Sequence, residues 1–404
     1  MWRELPPTAG LPLAWSDLLA LAQELDFAKA LCDFLSVPAV QIESSGSACL
    51  VVALETLKKM SARRNVIVPG YTCPLVPIAV AQAGLNLVVC DTAHNSFNFA
   101  PENLKQLCDD QTLCIVPTHM GGLVAYLEPA LALARATGAY VIEDAAQVLG
   151  ARMGERAAGT AADIGFYSLS VGKGLSTFGG GILVAADATM RDALAQTGRR
   201  LARANSAYEL KHLALLAGYF LFYNPLGLTA AYGADLRHWL KKGNLVRAVQ
   251  EEFPLQIPLH EVGTWRRRIG ASALRRLPAM IAANAQQGRE RAKQLSALPG
   301  LTVLQEFPGT AGTWPFLMVL FEREENRDRA LEQLWQAGLG VTRLFIHDLC
   351  GYEYLRPVVP RSSLANASSF AARMLTISNT PWSSAHDFER IIHVLNQSAR
   401  PLPL

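Results

Sequence analysis

Short apolar runs that stop at turn residues recur through the first half of the chain. Those at 65–69 (NVIVP), 85–90 (LNLVVC), 112–117 (TLCIVP), 139–143 (AYVIE), 164–168 (IGFYS) and 180–185 (GGILVA) predict β-strands. Between many of them apolar residues return at helical spacing, over 46–62, 74–84, 101–110 and 126–137. Strands apolar on both faces, alternating with helices, predict an α/β fold: a mostly parallel sheet sandwiched by helices. Ligands of such sheets bind at the carboxyl ends of the strands. After about residue 250 the pattern changes. A long helix is expected over 265–297, then strands at 301–305, 315–321, 340–345 and 374–378, with helices at 326–337 and 384–397. The chain thus divides into a large α/β domain, 1–250, and a part, 251–404, made of the long helix and a smaller C-terminal α+β domain. The large domain carries an apolar insertion at about 205–250.

Length and composition fit this plan. A chain of 404 residues suits one large domain and a smaller one. Half the residues are hydrophobic and 18% are charged, which argues against bulk disorder. The 37 Lys+Arg against 34 Asp+Glu leave only +3, too little for a general nucleic-acid binder. The seven cysteines include no C-x-x-C pair and mostly sit in apolar strings. They are read as buried, reduced thiols of a cytoplasmic protein rather than disulfides or metal ligands. Met1-Trp2-Arg3-Glu4 is followed by two prolines, so no signal peptide is expected.

Three segments carry candidate chemistry. In Glu143-Asp144-Ala145-Ala146-Gln147 a strand delivers Asp144 at its carboxyl end, with Gln147 three residues on; alone, such a carboxylate is often a helix cap. In Ser168-Leu169-Ser170-Val171-Gly172-Lys173-Gly174 one lysine lies between a strand and the glycine run 179–181. It could be a surface residue, or a desolvated amine able to attack a carbonyl. Ser45-Gly46-Ser47-Ala48 opens a helix, whose free N–H groups can hold a phosphate or simply be capped by serine. Together they meet one cofactor's needs. Pyridoxal phosphate requires an amine for its aldehyde, a carboxylate for its pyridine nitrogen and an anion site. Asp144 lies 29 residues before Lys173, and Ser168 five before it.

With Val66-Ile67-Val68-Pro69-Gly70-Tyr71-Thr72 and Pro117-Thr118-His119, this order resembles the DegT/StrS-type sugar aminotransferases, a branch of the fold-type I pyridoxal-phosphate enzymes. The resemblance covers roughly residues 30–200 well and the C-terminal part weakly. It implies that Lys173 holds pyridoxal 5'-phosphate as a Schiff base and shuttles the substrate proton. Asp144 would pair with the ring nitrogen and Gln147 with the ring hydroxyl. Gly46, Ser47, Ala48 and Ser168 would bind the phosphate. It further implies a homodimer, an amino acid donor such as L-glutamate, and as acceptor a keto-sugar nucleotide for surface polysaccharide or secondary metabolite synthesis. The family's dehydratases carry histidine in place of the lysine, so Lys173 speaks for amino transfer.

The sequence departs from the family in three places. Where an aromatic usually stacks on the cofactor ring, Cys73 stands; Tyr71, just upstream, either replaces it or packs in the core. Leu259 and Glu261 fall where the family's Asn-x-Arg reaches the neighbouring subunit's cofactor phosphate. Arg266-Arg267-Arg268 nearby is read as a solvated helix face, with a phosphate cation as the alternative. The third departure is the uncharged run 213–234, 22 residues long. Asn224-Pro225 and three glycines interrupt it, and a single span would separate Lys173 from the C-terminal domain. The segment therefore enters and leaves on one side. It is read as a buried helix-turn-helix over the active site or a dimer contact, the alternative being a hairpin making peripheral membrane contact beside Lys211, Arg237, Lys241, Lys242 and Arg247. Two other functional readings remain: a pyridoxal-phosphate enzyme acting on a lipid-linked or non-sugar substrate, and a non-catalytic binding or regulatory protein of this fold.

Overall fold

The structure, a computed structural model, describes residues 3–400. A seven-stranded sheet is formed by β1 (Gln41–Glu43), β2 (Asn65–Pro69), β3 (Asn86–Cys90), β4 (Thr112–Ile115), β5 (Tyr140–Asp144), β6 (Ile164–Ser168) and β7 (Gly181–Ala185). Their order is β1-β7-β6-β5-β4-β2-β3. The ladders from β6 through β5, β4 and β2 to β3 are parallel; β7 runs antiparallel to both β6 and β1. Every residue of β4, β6 and β7 is buried, as runs apolar on both faces require of strands covered by helices on each side. The α/β reading of the sequence and its six strands hold. Only β1 was not foreseen: a three-residue strand has too few positions to show a period.

A second, antiparallel sheet gathers β8 (Leu301–Val303), β9 (Phe316–Phe321), β10 (Val341–Thr342) and β11 (Met374–Ser378) in the order β8-β9-β11-β10. The helix expected over 265–297 is two helices, Thr264–Leu274 and Leu277–Ser296. Pro278 explains the break: it has no N–H for the carbonyl of Leu274, and its ring crowds that oxygen.

The uncharged run also breaks where its sequence says it should. Helix α1 (Ser206–Phe222) ends before Asn224, whose side chain caps the next turn by accepting from the Gly227 N–H at 3.0 Å. The chain then runs helically over Pro225–Lys241 at 113° to α1. Among the described residues no single helix is long and apolar enough to cross a membrane, though this bent pair meets that length and composition together. The pair packs on the N-terminal segment. Tyr219 Oη donates to the carbonyl of Leu11 at 2.9 Å; Tyr223 Oη accepts from Gly10 N at 2.9 Å and donates to Thr8 O at 3.1 Å.

Candidate active site

Strand ends converge on one cavity of about 760 Å³. β5 brings Asp144 to its floor, β6 ends in Ser168, and the turn after β6 carries Lys173. That turn needs its glycines. Gly172 and Gly174, on either side of the lysine, have φ of 80° and 81°, and a Cβ on Gly172 would stand 2.2 Å from Thr8 Oγ1. Lys173 lines the cavity and is largely buried. Burial lowers its pKa below the ordinary lysine value, against the pull of Cys73, Asp144 and Glu251, so the free amine is more accessible than on a surface lysine.

Asp144 is 3% exposed. Its Oδ1 accepts from Ala146 N at 3.0 Å, and no hydrogen bond reaches its Oδ2 among the described residues. Burial pushes the carboxyl up to about 6, against that N–H and the charges of Lys173 and His119. A buried carboxylate with one oxygen unclaimed at a cavity wall is a place for a ring N–H. Gln147 Oε1 accepts from Gly121 N at 2.9 Å, which leaves its amide group as a donor toward the cavity it lines.

The anion end lies at the start of the helix Gly46–Met60. Ser45 caps that helix by accepting the Ala48 N–H at 3.0 Å. Gly46 and Ser47 line the cavity, as does Ser168 across from them, whereas Ala48 is fully buried with its N–H spent on the cap. A Cβ on Gly46 would stand 3.0 Å from the Ser168 Cβ, so only glycine lets the two sides of the cradle close. An open carboxylate oxygen, a cavity-facing amine and a glycine-lined helix start match the three polar ends of pyridoxal phosphate.

Two supports stood in the quoted sequence without a role. His119 Nδ1 accepts from Ala125 N at 2.8 Å, so Nε2–H donates to Glu143 Oε2 at 3.0 Å. Glu143 also accepts from Gly159, Ala161 and Ala162 N–H groups, which pins the loop after β5. Cys73 lines the cavity, its thiol pushed up to about 11 by burial. Tyr71 does not replace an aromatic there. It is fully buried against Phe345 and Phe370, and its hydroxyl accepts from Phe345 N at 3.2 Å.

The reading of Arg266 as a solvated face is corrected. Arg266 is fully buried, forms a bidentate pair with Glu209 at 2.8 and 2.7 Å, and donates to Gly179 O at 3.2 Å. It braces the glycine run and does not line the cavity. Two further charged residues that the sequence did not single out do line it. Glu251 Oε2 accepts from Tyr352 Oη at 2.6 Å and Ile346 N at 3.0 Å, and burial pushes its carboxyl up to about 8. Arg343 donates to the carbonyls of Ile346 and Ala371 at 2.6 and 2.9 Å. Their partners lie 95 to 101 and 3 to 28 residues away, so for Glu251 above all no local pattern marks the position.

This architecture is that of the fold-type I pyridoxal-phosphate aminotransferases. Residues 18–215 match the model of the DegT/DnrJ/EryC1/StrS aminotransferase family. Over 148 residues, 36% of this chain and 40% of the relative, it is 33% identical to UDP-N-acetyl-3-dehydro-alpha-D-glucosamine 3-aminotransferase of Acidithiobacillus ferrooxidans. A longer match, 25% identical over 88% of this chain and 82% of the relative, is to dTDP-3-amino-3,4,6-trideoxy-alpha-D-glucose transaminase of Streptomyces venezuelae. The matched stretches span only 29% to 44% of the length of the first curated relatives. Among solved structures, DesI with its TDP-sugar product superposes with a TM-score of 0.75 at 18% identity, covering 99% of this chain and 94% of that one.

Proposed function

We propose that this chain is a pyridoxal-phosphate-dependent aminotransferase that moves an amino group from an amino acid to a keto group. The observation that carries the reading is the buried Asp144 carboxylate, with an oxygen unclaimed, in the same cavity as the desolvated Lys173 amine. Gly46, Ser47 and Ser168 would hold the phosphate, Gln147 the ring hydroxyl and Asp144 the ring nitrogen. Bound there, pyridoxal phosphate supplies an electron sink for the carbon that loses its proton. Asp144 keeps that sink effective by accepting the ring N–H and opposing its charge in a site screened from water. Lys173 Nζ would hold the cofactor through its aldehyde, and as a free amine it would accept the proton that leaves the donor's Cα. His119 and Glu143 fix the loop that aims Asp144.

L-Glutamate is the donor in this reading, and homodimeric assembly belongs to it. The names of the relatives support a keto sugar carried on a nucleotide as acceptor. One test needs no acceptor. Cofactor-loaded protein is mixed with L-glutamate, then with L-glutamine, and the visible band is followed. Conversion of the band to the pyridoxamine form by either is expected. A band that stays unchanged with every common amino acid would instead make the chain a binding protein of this fold.

A further inference from the structure

Arg343 follows β10 and is only 8% exposed, yet it lines the cavity. Its Nη2 is taken by the carbonyls of Ile346 and Ala371, which fixes the guanidinium in place. Nε is occluded and has no partner. Nη1 makes no hydrogen bond among the described residues and is not occluded, so it opens on the cavity that Arg343 lines. Counter-charge is missing as well. Two acids lie close enough for their charge to reach Arg343, Asp328 and Glu251. Asp328 is paired with Arg327 at 2.7 Å. Glu251 is held as an acid, since burial pushes its carboxyl up to about 8. Burial and the neighbouring Arg327 lower the Arg343 pKa from its ordinary value, as befits a desolvated cation short of a partner.

Glu251 and Arg343 meet at one residue: Ile346 gives its N–H to Glu251 and its carbonyl to Arg343. Glu251 Oε2 accepts two hydrogen bonds, from Ile346 N and Tyr352 Oη, which leaves the acid proton to Oε1. Oε1, like Nη1, is unbonded among the described residues and not occluded. Just before it, Gln250 lies in the left-handed region at φ 60°, a conformation that a residue with a Cβ keeps at a cost and that gathers at functional sites.

We propose that Arg343 Nη1 and Glu251 Oε1–H form a second anion site in this cavity, apart from the cradle at Gly46 and Ser168. It takes an oxyanion of the substrate, either a carboxylate of the amino acid donor or a phosphate of the nucleotide carrier. That the oxyanion belongs to a substrate rests on the aminotransferase reading; the site rests on the two side chains. Carboxylate and phosphate both offer two oxygens to two such donors. An ionised Glu251 would neutralise Arg343 itself and repel the ligand, whereas the acid form adds a donor.

The test is calorimetric binding of succinate and of UDP to the protein loaded with pyridoxal phosphate. At least one should bind, and Arg343→Gln should weaken it roughly tenfold or more while the cofactor band stays. Succinate alone assigns the site to the donor, UDP alone to the acceptor, and mutual competition to both. Binding should also weaken about tenfold from about pH 7 to about pH 9 as Glu251 ionises, and Glu251→Gln should remove that dependence. The other ionisable groups around Glu251 do not imitate it. Tyr71, Tyr352 and Tyr354 are pushed well above that range and Cys73 up to about 11, while Lys173 and Arg343 are common to both proteins. Should Arg343→Gln lose the cofactor band, the Glu251 comparison decides alone. The proposal is overturned if neither probe binds the native protein, or if Arg343→Gln binds as the native does. In the Glu251 comparison, a pH dependence equal in both proteins overturns it. Binding involves no amino transfer. A cofactor band that no amino acid converts therefore sinks the aminotransferase reading and leaves the site, whereas a converted band with no anion binding sinks the site alone.

Discussion

The cavity wall that carries Asp144, Gln147, Ser168 and Lys173 is made of strand ends and turns, whereas the wall opposite is made of two helices arriving from residues 206–241. The first is polar and held by short-range geometry: Ser45 caps its own helix, Asp144 takes the N–H two residues on, and glycines flank the lysine. The second is apolar and held by contacts made more than 200 residues apart in sequence. The difference assigns them different tasks. Chemistry needs charges fixed within small tolerances, which strand ends of a covered sheet provide. Recognition of an acceptor can be rebuilt by changing an inserted element while the sheet stays as it is.

The largest expected effect lies on the polar wall. Lys173→Arg keeps a positive charge but removes an amine able to lose its proton. Amino transfer should fall by on the order of 10³-fold or more. Borohydride should fix the cofactor covalently to the native protein at Lys173 and not to the variant. Reduction that labels a different lysine would remove Lys173 from its place. Asp144→Asn comes next. Its loss should be on the order of 10²-fold in turnover, the scale for one well-placed electrostatic partner. Because burying the charged form of Asp144 is unfavourable, thermal stability of the cofactor-free protein should change little or rise. Near-normal turnover would make Asp144 a structural residue.

How much could be read from residues alone follows the same division. Asp144, Lys173 and the Ser45–Ala48 helix start were legible because each is a short pattern whose geometry is set within a few residues. The apolar insertion was legible only as composition. Glu251 and Arg343 carried no signal, since what makes them part of the cavity is packing against Tyr352, Ile346 and Ala371. Arg266 was misread for the same reason: three arginines in a row look solvated until Glu209, 57 residues away, closes on one of them. The kink at Pro278 was available in the sequence, but a helical apolar pattern continuing on both sides of it concealed it.

Glu251 is the acidic group on the C-terminal side of the cavity and gives a smaller, pH-dependent effect. Its folded pKa, about 8, lies above the ordinary 4.5, so the folded state holds a proton that the unfolded state has lost. Stability then falls as pH rises from about 4.5 through about 8. The full swing is on the order of a few kcal/mol. Glu251→Gln, neutral at every pH, should flatten that part of the profile in urea titrations of the cofactor-free protein. An unchanged slope would mean that Glu251 is not the group responsible.

The smallest effect tests whether the apolar wall belongs to the fold or merely rests on it. Tyr223 Oη accepts from Gly10 N and donates to Thr8 O, while Leu11 N donates to Gly174 O at 2.8 Å, beside Lys173. Residues 8–11 thus form a strap with the helical pair on one side and the lysine turn on the other. Tyr223→Phe keeps the ring, which packs edge-on to Trp382 at 5.5 Å, and removes only the hydroxyl. It leaves the Gly10 N–H buried without an acceptor, which should cost about 1–3 kcal/mol of global stability. Tyr219→Phe removes a donor from the Leu11 carbonyl and should cost about 1 kcal/mol, since an under-satisfied carbonyl is tolerated better than an orphaned N–H. If the helical pair unfolds independently, neither loss will appear in the main unfolding transition. Instead each variant will show an earlier, separate transition while the cofactor band persists. A single cooperative transition shifted in that order would show that the wall facing the acceptor and the wall holding the lysine unfold as one unit, joined through the strap.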